Sequence, residues 1–221
     1  MRIAALLTGR GNNTLKDKNV LPVLGRPLCQ YPAMAAKNCR LITDFYVSSD
    51  DEKILSAAEE IGYKCIIHAL GVMKEDGCEP DILVVILANN AITKTEWIEE
   101  TIQNLIDDPL LSASCPVMSE QDHHPYRCKC LCEDGTLGTW FDFKDKKIST
   151  NRQELPKNFI FCHNFWTLNL KNSLYSEVPG QQPWTFMGAR VKPVVVEESF
   201  DVHDMEDIIR TEKWLTTEGI K

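Results

Sequence analysis

The chain is 221 residues long, 43% hydrophobic and 25% charged, ordinary figures for a folded globular protein and outside the disordered and fibrous classes. Its 24 Lys and Arg against 32 Asp and Glu leave a net charge of −8, which argues against duplex nucleic acid as the main partner. The longest clean apolar run, Ile82 to Ala88, is far short of the ~20 residues a membrane-spanning helix needs. The apolar N-terminal stretch is too short for a secretion signal, so a cytoplasmic protein without a membrane partner is expected. Nine cysteines in such a chain, with no C-x-x-C, do not suggest a disulfide framework.

In chain order, Arg2 to Leu7 predicts a short strand, and residues 8–19 a polar, glycine-bearing loop. Leu28 to Asn38 predicts a helix with Pro27 near its first position. Leu41 to Val47 reads as a second strand ending at Ser48-Ser49-Asp50. Asp50 and Asp51 then open a helix over Glu52 to Ile61, whose Ile54, Leu55, Ala58 and Ile61 form one apolar stripe. Gly62 closes that helix and Tyr63 to Ile66 reads as a third strand. The next residues, Ile67 to Leu70, already read as helix. A strand-to-helix connection normally takes about 2–6 residues, so either Tyr63 to Ile66 is not a strand or, the favoured reading, a loop is lacking at Ile66–Ile67. Ile82 to Ala88, rich in Val and Ile, fits a central parallel strand covered on both faces, and Trp97 to Ile106 a helix.

Strands alternating with helices imply a three-layer, mostly parallel α/β sheet with its ligand outside the carboxyl ends of the strands. Those ends carry Thr8-Gly9-Arg10, Ser48-Ser49-Asp50 and Asn89-Asn90. From Ser112 onward, Ala113 to Val117, Arg127 to Cys132 and Gly138 to Phe143 read as short strands of a small antiparallel excursion, a candidate dimer contact. Arg190 to Val196 returns to the sheet, and Met205 to Thr216 is a closing amphipathic helix.

Arg10, Lys16 and Lys18 fall within nine positions of an acidic chain, with Gly9, Gly11, Asn12 and Asn13 among them. Glycines let backbone approach a ligand, successive N–H groups attract phosphate oxygens, and Arg and Lys supply the countercharge. The loop therefore reads as a polyphosphate site, although it is not a Walker loop. Cys128, Cys130 and Cys132 alternate at strand period and face one side, where plain thiols are a better reading than zinc. The adjacent His123 and His124 point apart and cannot share an ion. Trp184 and Phe186 either shape a pocket or fill core.

At this point the chain resembles a known family. Leu7 to Arg10 through Leu15 to Leu28 is similar to the opening of the sugar-acid cytidylyltransferases, the enzymes that make CMP-sialic acid and its bacterial relatives. Val47 to Glu52, His123 to Arg127, Asn151 to Pro156 and Ser199 to Ile208 match further segments in order, over nearly the full length. The resemblance implies a single nucleotidyltransferase (Rossmann-like) domain over 1–221 with a dimerisation excursion near 137–165. It implies CMP transfer from CTP to the anomeric hydroxyl of a 2-keto sugar acid, pyrophosphate release, a homodimer, and Mg²⁺ with Mn²⁺ as the alternative.

By match, Arg10, Lys18 and Asp201 would be catalytic. Leu7, Gly9, Arg10, Asn12, Lys16, Lys18, Asn19, Ser49, Asp50 and Asn89 would bind the nucleotide. Asn90, Arg127, Arg152 and Asn164 would meet the sugar acid, Arg being suited to a carboxylate. The metal would fall to Asp201 and His203, where the family pattern is Asp-x-Asp. That departure and the Asn89-Asn90 turn keep three rivals open: a nucleotide-binding protein without catalysis, an enzyme for another base or sugar, and a metal or redox protein built on Cys128, Cys130, Cys132 and His203.

Overall fold

The structure, a computed structural model, describes residues 1–66 and 69–220. Its centre is β1 (Ile3–Gly9), whose side chains alternate between two apolar layers: Ile3, Ala5 and Leu7 face one, Ala4 and Leu6 the other. This period-two split needs apolar residues at every position, and all seven but the last two are buried.

After the loop come two very short strands, β2 (Pro22–Val23) and β3 (Arg26–Pro27), which pair as a hairpin, and helix α1 (Gln30–Asn38). Pro27 therefore ends the hairpin instead of opening the helix. Strand β4 (Asp44–Ser49) runs parallel to β1, placing Thr8 beside Ser48 and Gly9 beside Ser49. Helix α2 (Glu52–Glu59) starts where the Asp51 carboxylate accepts the Lys53 N–H, and Gly62, at φ 83°, turns the chain out of it. Strand β5 (Lys64–Cys65) and helix α3 (Ala69–Glu75) follow. The expected gap at Ile66–Ile67 lies outside the described residues.

Strand β6 (Ile82–Leu87) lies parallel on the other side of β1, and helix α4 (Thr95–Asp107) packs below it. Ile98, Ile102 and Leu105 of α4 are buried at one-turn spacing, each contributing roughly 1.5–3 kcal/mol relative to exposure.

Strand β7 (Ala113–Ser119) corrects the sequence expectation. Its residues 113–117 belong to the main sheet, not to an excursion, and are all buried. Their polar members are satisfied from within: Asn104 Nδ2 donates to Ser114 Oγ at 3.2 Å, and Thr101 bonds Thr167 at 2.7 Å. The small separate ribbon is β8 (Lys129–Leu131) with β9 (Leu137–Thr139). Strand β10 (Phe159–Phe161), inside the expected 137–165 excursion, returns to the main sheet against β7. Strand β11 (Phe165–Asn169) inserts antiparallel between β6 and β7. Strand β12 (Val191–Val195) pairs parallel with β7, and helix α5 (Met205–Thr217) closes the chain.

The main sheet therefore runs β10-β7-β11-β6-β1-β4-β5, with β12 also on β7. Helices α1, α2 and α4 cover one face, and α3 with Met187, Trp184 and Phe186 the other. This is the mixed α/β architecture that the sequence implies. Trp184 and Phe186 pack against Phe161 and Trp166, which gives them a packing role. A third cluster (Val23, Leu28, Tyr31, Val202, Ile208, Leu215) docks α5 and the segment before it onto the early hairpin. That docking brings the two ends of the sequence together at the sheet's carboxyl edge.

Candidate active site

The carboxyl ends of β1, β4 and β6 open into a cleft of about 930 Å³ lined by Thr8, Gly9, Arg10, Asn12, Asn13, Thr14, Lys18, Asn19, Ser48, Ser49, Asp50, Leu87, Asn89 and His203. Gly9 is needed at the floor because a Cβ there would meet Ala88 Cβ at 2.9 Å. Strand order places this edge: in a parallel sheet the backbone groups at the strand ends are free to meet a ligand.

The cationic loop between β1 and the hairpin is tied down at both ends. The Gly11 N–H donates to Asp50 Oδ1 at 2.8 Å, and Asn19 Nδ2 donates to the Arg10 carbonyl at 2.9 Å. Asp17, at φ 56°, pairs with Lys53 at 2.7 Å. Lys18 is drawn inward, 8% exposed, and its Nζ donates to the Val202 carbonyl at 2.8 Å. Burial lowers the Lys18 amine below its ordinary pKa; the Asp201 carboxylate opposes this, Arg10 adds to it, and Asp207 opposes it. Positive charge from the start of the chain thus faces carboxylates from its end. Asn19 Oδ1 is buried with no partner among the described residues.

Asp201 sits beside this cleft, held by Asn90. Asn90 is fully buried; its Nδ2 donates to Asp201 Oδ1 and to Ser199 Oγ, both at 3.1 Å, while its Oδ1 accepts the Ile92 N–H at 3.0 Å. Asn89 ties the same corner from its backbone, its carbonyl accepting the Val202 N–H at 3.0 Å. His203 is exposed and its N–H donates to Asp207 Oδ2. The Asp204 carboxylate instead caps α5, its Oδ1 accepting the Glu206 and Asp207 N–H groups.

The expected site residues therefore divide. Gly9, Arg10, Asn12, Lys18, Asn19, Ser49, Asp50, Asn89 and His203 line the cleft, with Asp201 next to Lys18. Leu7 is fully buried in the core, so only its backbone reaches the edge. Lys16 is exposed and does not line the cleft. Asn90 is turned inward to Asp201, and Asn164 is buried, donating to the Ile92 carbonyl at 3.1 Å. Both brace the turn after β6 instead of meeting the cavity. Arg127 and Arg152 lie away from the cleft lining, and both engage Asp122: Arg152 through an ion pair, Arg127 by donating to its carbonyl at 3.1 Å. Thr14 was not legible as a lining residue, whereas Thr8 and Ser48 follow from their register as paired residues next to the ends of adjacent strands.

The three cysteines do not form one face. Cys130 and Cys132 both approach Gly138, while the Cys128 thiol turns to the His123 and His124 carbonyls. His124 is buried and His123 exposed.

A metal test follows from the donors. Among the described residues no three His, Cys, Asp or Glu side chains come together as a metal cage. Asp201 has one carboxylate oxygen engaged by Asn90. Mg²⁺ is commonly held by one or two carboxylates together with phosphates and water. The donor set thus fits a cation that arrives with a polyphosphate.

Residues 10–115 match the family model for cytidylyltransferases. The chain is 23% identical, over 255 aligned positions covering all of both chains, to a 3-deoxy-manno-octulosonate cytidylyltransferase of Bdellovibrio bacteriovorus. Among solved structures it is similar to CMP:2-keto-3-deoxy-manno-octonic acid synthetase complexed with CTP, with a TM-score of 0.71 at 16% identity over 99% of this chain and all of the other. It is also similar to 4-diphosphocytidyl-2C-methyl-D-erythritol synthase from Anaerococcus prevotii, with a TM-score of 0.65 at 16% identity over 97% and 96% of the two chains. These structural likenesses show the fold, and the family-model match begins at the cationic loop. The chain is thus similar to cytidylyltransferases, by the family model over residues 10–115 and by the relative along its whole length.

Proposed function

We propose that the protein transfers CMP from CTP to a hydroxyl of a 2-keto sugar acid, releasing pyrophosphate. The observation that carries this reading is Lys18: an ammonium drawn into the floor of a strand-end cleft, beside Arg10 on one side and Asp201 on the other. In phosphoryl-type transfer the protein mainly positions the reactants and stabilises charge. Arg10 and Lys18 would neutralise the triphosphate and the leaving pyrophosphate, and the loop N–H groups would cradle its oxygens. Ser49, Asp50 and Asn89 would line the nucleoside end. Asp201, with His203 near it, would hold a divalent ion, for which we favour Mg²⁺, with Mn²⁺ as the alternative. When bound, that ion would supply positive charge to offset the charge on the phosphates. The full-length relative is named for the same chemistry on an eight-carbon 2-keto sugar acid.

Arg127 and Arg152 are proposed to meet the sugar carboxylate, with Asp122 occupying Arg152 until then. The segment 120–158 carries exposed Leu131, Leu137, Trp140 and Phe141, and we propose that it forms the contact of a homodimer. A cytoplasmic location follows from this reading, because CTP is its substrate.

A second reading, nucleotide binding without transfer, is favoured by the single carboxylate at Asp201 beside a neutral Asn90. A pyrophosphate-release screen of the four ribonucleoside triphosphates against several sugar acids, in Mg²⁺ and in Mn²⁺, separates the two. The transfer reading expects release with CTP and one class of sugar acid. CTP binding without release in any combination supports the second.

A further inference from the structure

We infer that Asn90 is a positioning residue that sets the metal demand of the site by holding Asp201 with one carboxylate oxygen engaged and the other turned free. This rests on the reading of Asp201 as the metal-facing carboxylate. Asn90 is fully buried and all three of its bonds are made within one turn of chain and one neighbouring segment. Its orientation is fixed by its partners: the Ile92 N–H can only donate, so it takes Oδ1, and the Asp201 carboxylate can only accept, so it takes Nδ2. The bracket is closed behind by Asn164, which donates to the Ile92 carbonyl, and by the Val202 N–H bonded to Asn89. Asp201 Oδ1 is therefore committed to an amide, and among the described hydrogen bonds its Oδ2 has none.

The spacing carries a second consequence. Asn90 Nδ2 stands 3.1 Å from Asp201 Oδ1. Two oxygens bound side by side to one octahedral Mg²⁺, each at 2.0–2.1 Å, are about 2.9 Å apart. The amide thus occupies a place from which a carboxylate would share an ion with Asp201. With Asn there, the site has one protein carboxylate and takes its cation with the nucleotide. Asn90→Asp would build a two-carboxylate site that binds a cation without nucleotide, and that in metal-free solution sets two negative charges against each other.

The test measures Mn²⁺ binding by electron paramagnetic resonance, with CTP and no sugar acid present, together with thermal melting in EDTA and in Mn²⁺ alone. The proteins are wild type, Asn90→Ala, Asn90→Asp and Ser199→Ala. Asn90→Ala should bind Mn²⁺ about 10–100-fold more weakly. Ser199→Ala, which removes a partner of Asn90 but not its bond to Asp201, should bind within about threefold of wild type. Asn90→Asp should melt below wild type in EDTA and recover in Mn²⁺ without nucleotide, while wild type barely responds. If folded Asn90→Ala binds Mn²⁺ like wild type, the inference falls. Should Asn90→Ala not fold, an Asn90→Asp protein indifferent to Mn²⁺ overturns it equally. Because none of these measurements needs turnover, the expected pattern in a protein that transfers CMP to no sugar acid keeps the inference and removes the transfer reading. Normal transfer with no change in Mn²⁺ binding does the reverse.

Discussion

A lysine amine carried to 8% exposure loses hydration that its one bond to the Val202 carbonyl does not replace. Its lowered pKa is the sign of that cost, and the Asp201 carboxylate offsets part of it. A buried ammonium of this kind is poorly explained by stability. Lys18→Met should therefore leave the urea midpoint nearly unchanged while turnover falls by about 10²–10³, the range for removing one group that stabilises transition-state charge. Equal losses in both would return Lys18 to a structural role. Asp44 behaves in the opposite way. The Arg2 guanidinium meets it with two bonds, at 2.7 and 2.9 Å, and holds its carboxyl below the ordinary 3.8. A depressed carboxyl contributes stability above its ordinary value and loses it as pH falls through the folded one. Asp44→Asn should lower the urea midpoint at pH 7, with the difference from wild type shrinking as pH falls below 4 and the folded carboxyl takes up its proton. A constant difference across that window would contradict it.

Helix α5 shows how an element reaches the site. Asp204 accepts two N–H groups of its first turn, while Asp207 accepts the Asp204 and His203 N–H groups in return. The same turn therefore starts the helix and fixes the backbone just after Asp201. Asp204→Ala should cost about 0.5–2 kcal/mol of stability, read by urea unfolding, and Asp204→Asn, which still caps, should recover most of it. What sequence could show at this scale depended on locality. Strands β1, β4 and β6 were legible because each carries a run of apolar, buried residues at its centre. Strand β7 was legible as a strand but not as part of the main sheet, because its partners are distant in sequence: Ser114 is satisfied by Asn104, and Ser112, just before the strand, by the Arg190 carbonyl, which no local pattern reveals. Strand β11 was not anticipated at all, since five residues after a polar segment carry little periodic signal. The same rule holds in the site. Arg10 and Lys18 follow one strand directly and stood out, whereas Asn90 takes its meaning from Asp201, more than a hundred residues on.

Taken whole, the molecule is one sheet whose first and last segments meet across a third apolar cluster, so the cleft exists only when both ends are docked. The segment 120–158 stands apart from that sheet and exposes Trp140 at 64% and Leu131 at 76%, more apolar surface than an isolated ribbon of this size normally shows water. On the proposed dimer contact, Trp140→Asp should sediment as a monomer where wild type sediments as a dimer, without lowering the melting temperature of the separated subunits; an unchanged sedimentation coefficient would contradict that contact. The central claim is the chemistry at the cleft. Phosphorus NMR of the wild-type protein with CTP, a 2-keto eight-carbon sugar acid and Mg²⁺ reads it most directly. The account predicts that the three triphosphate resonances decay together into one pyrophosphate signal and one phosphodiester signal, and a triphosphate that persists while bound to the protein would contradict it.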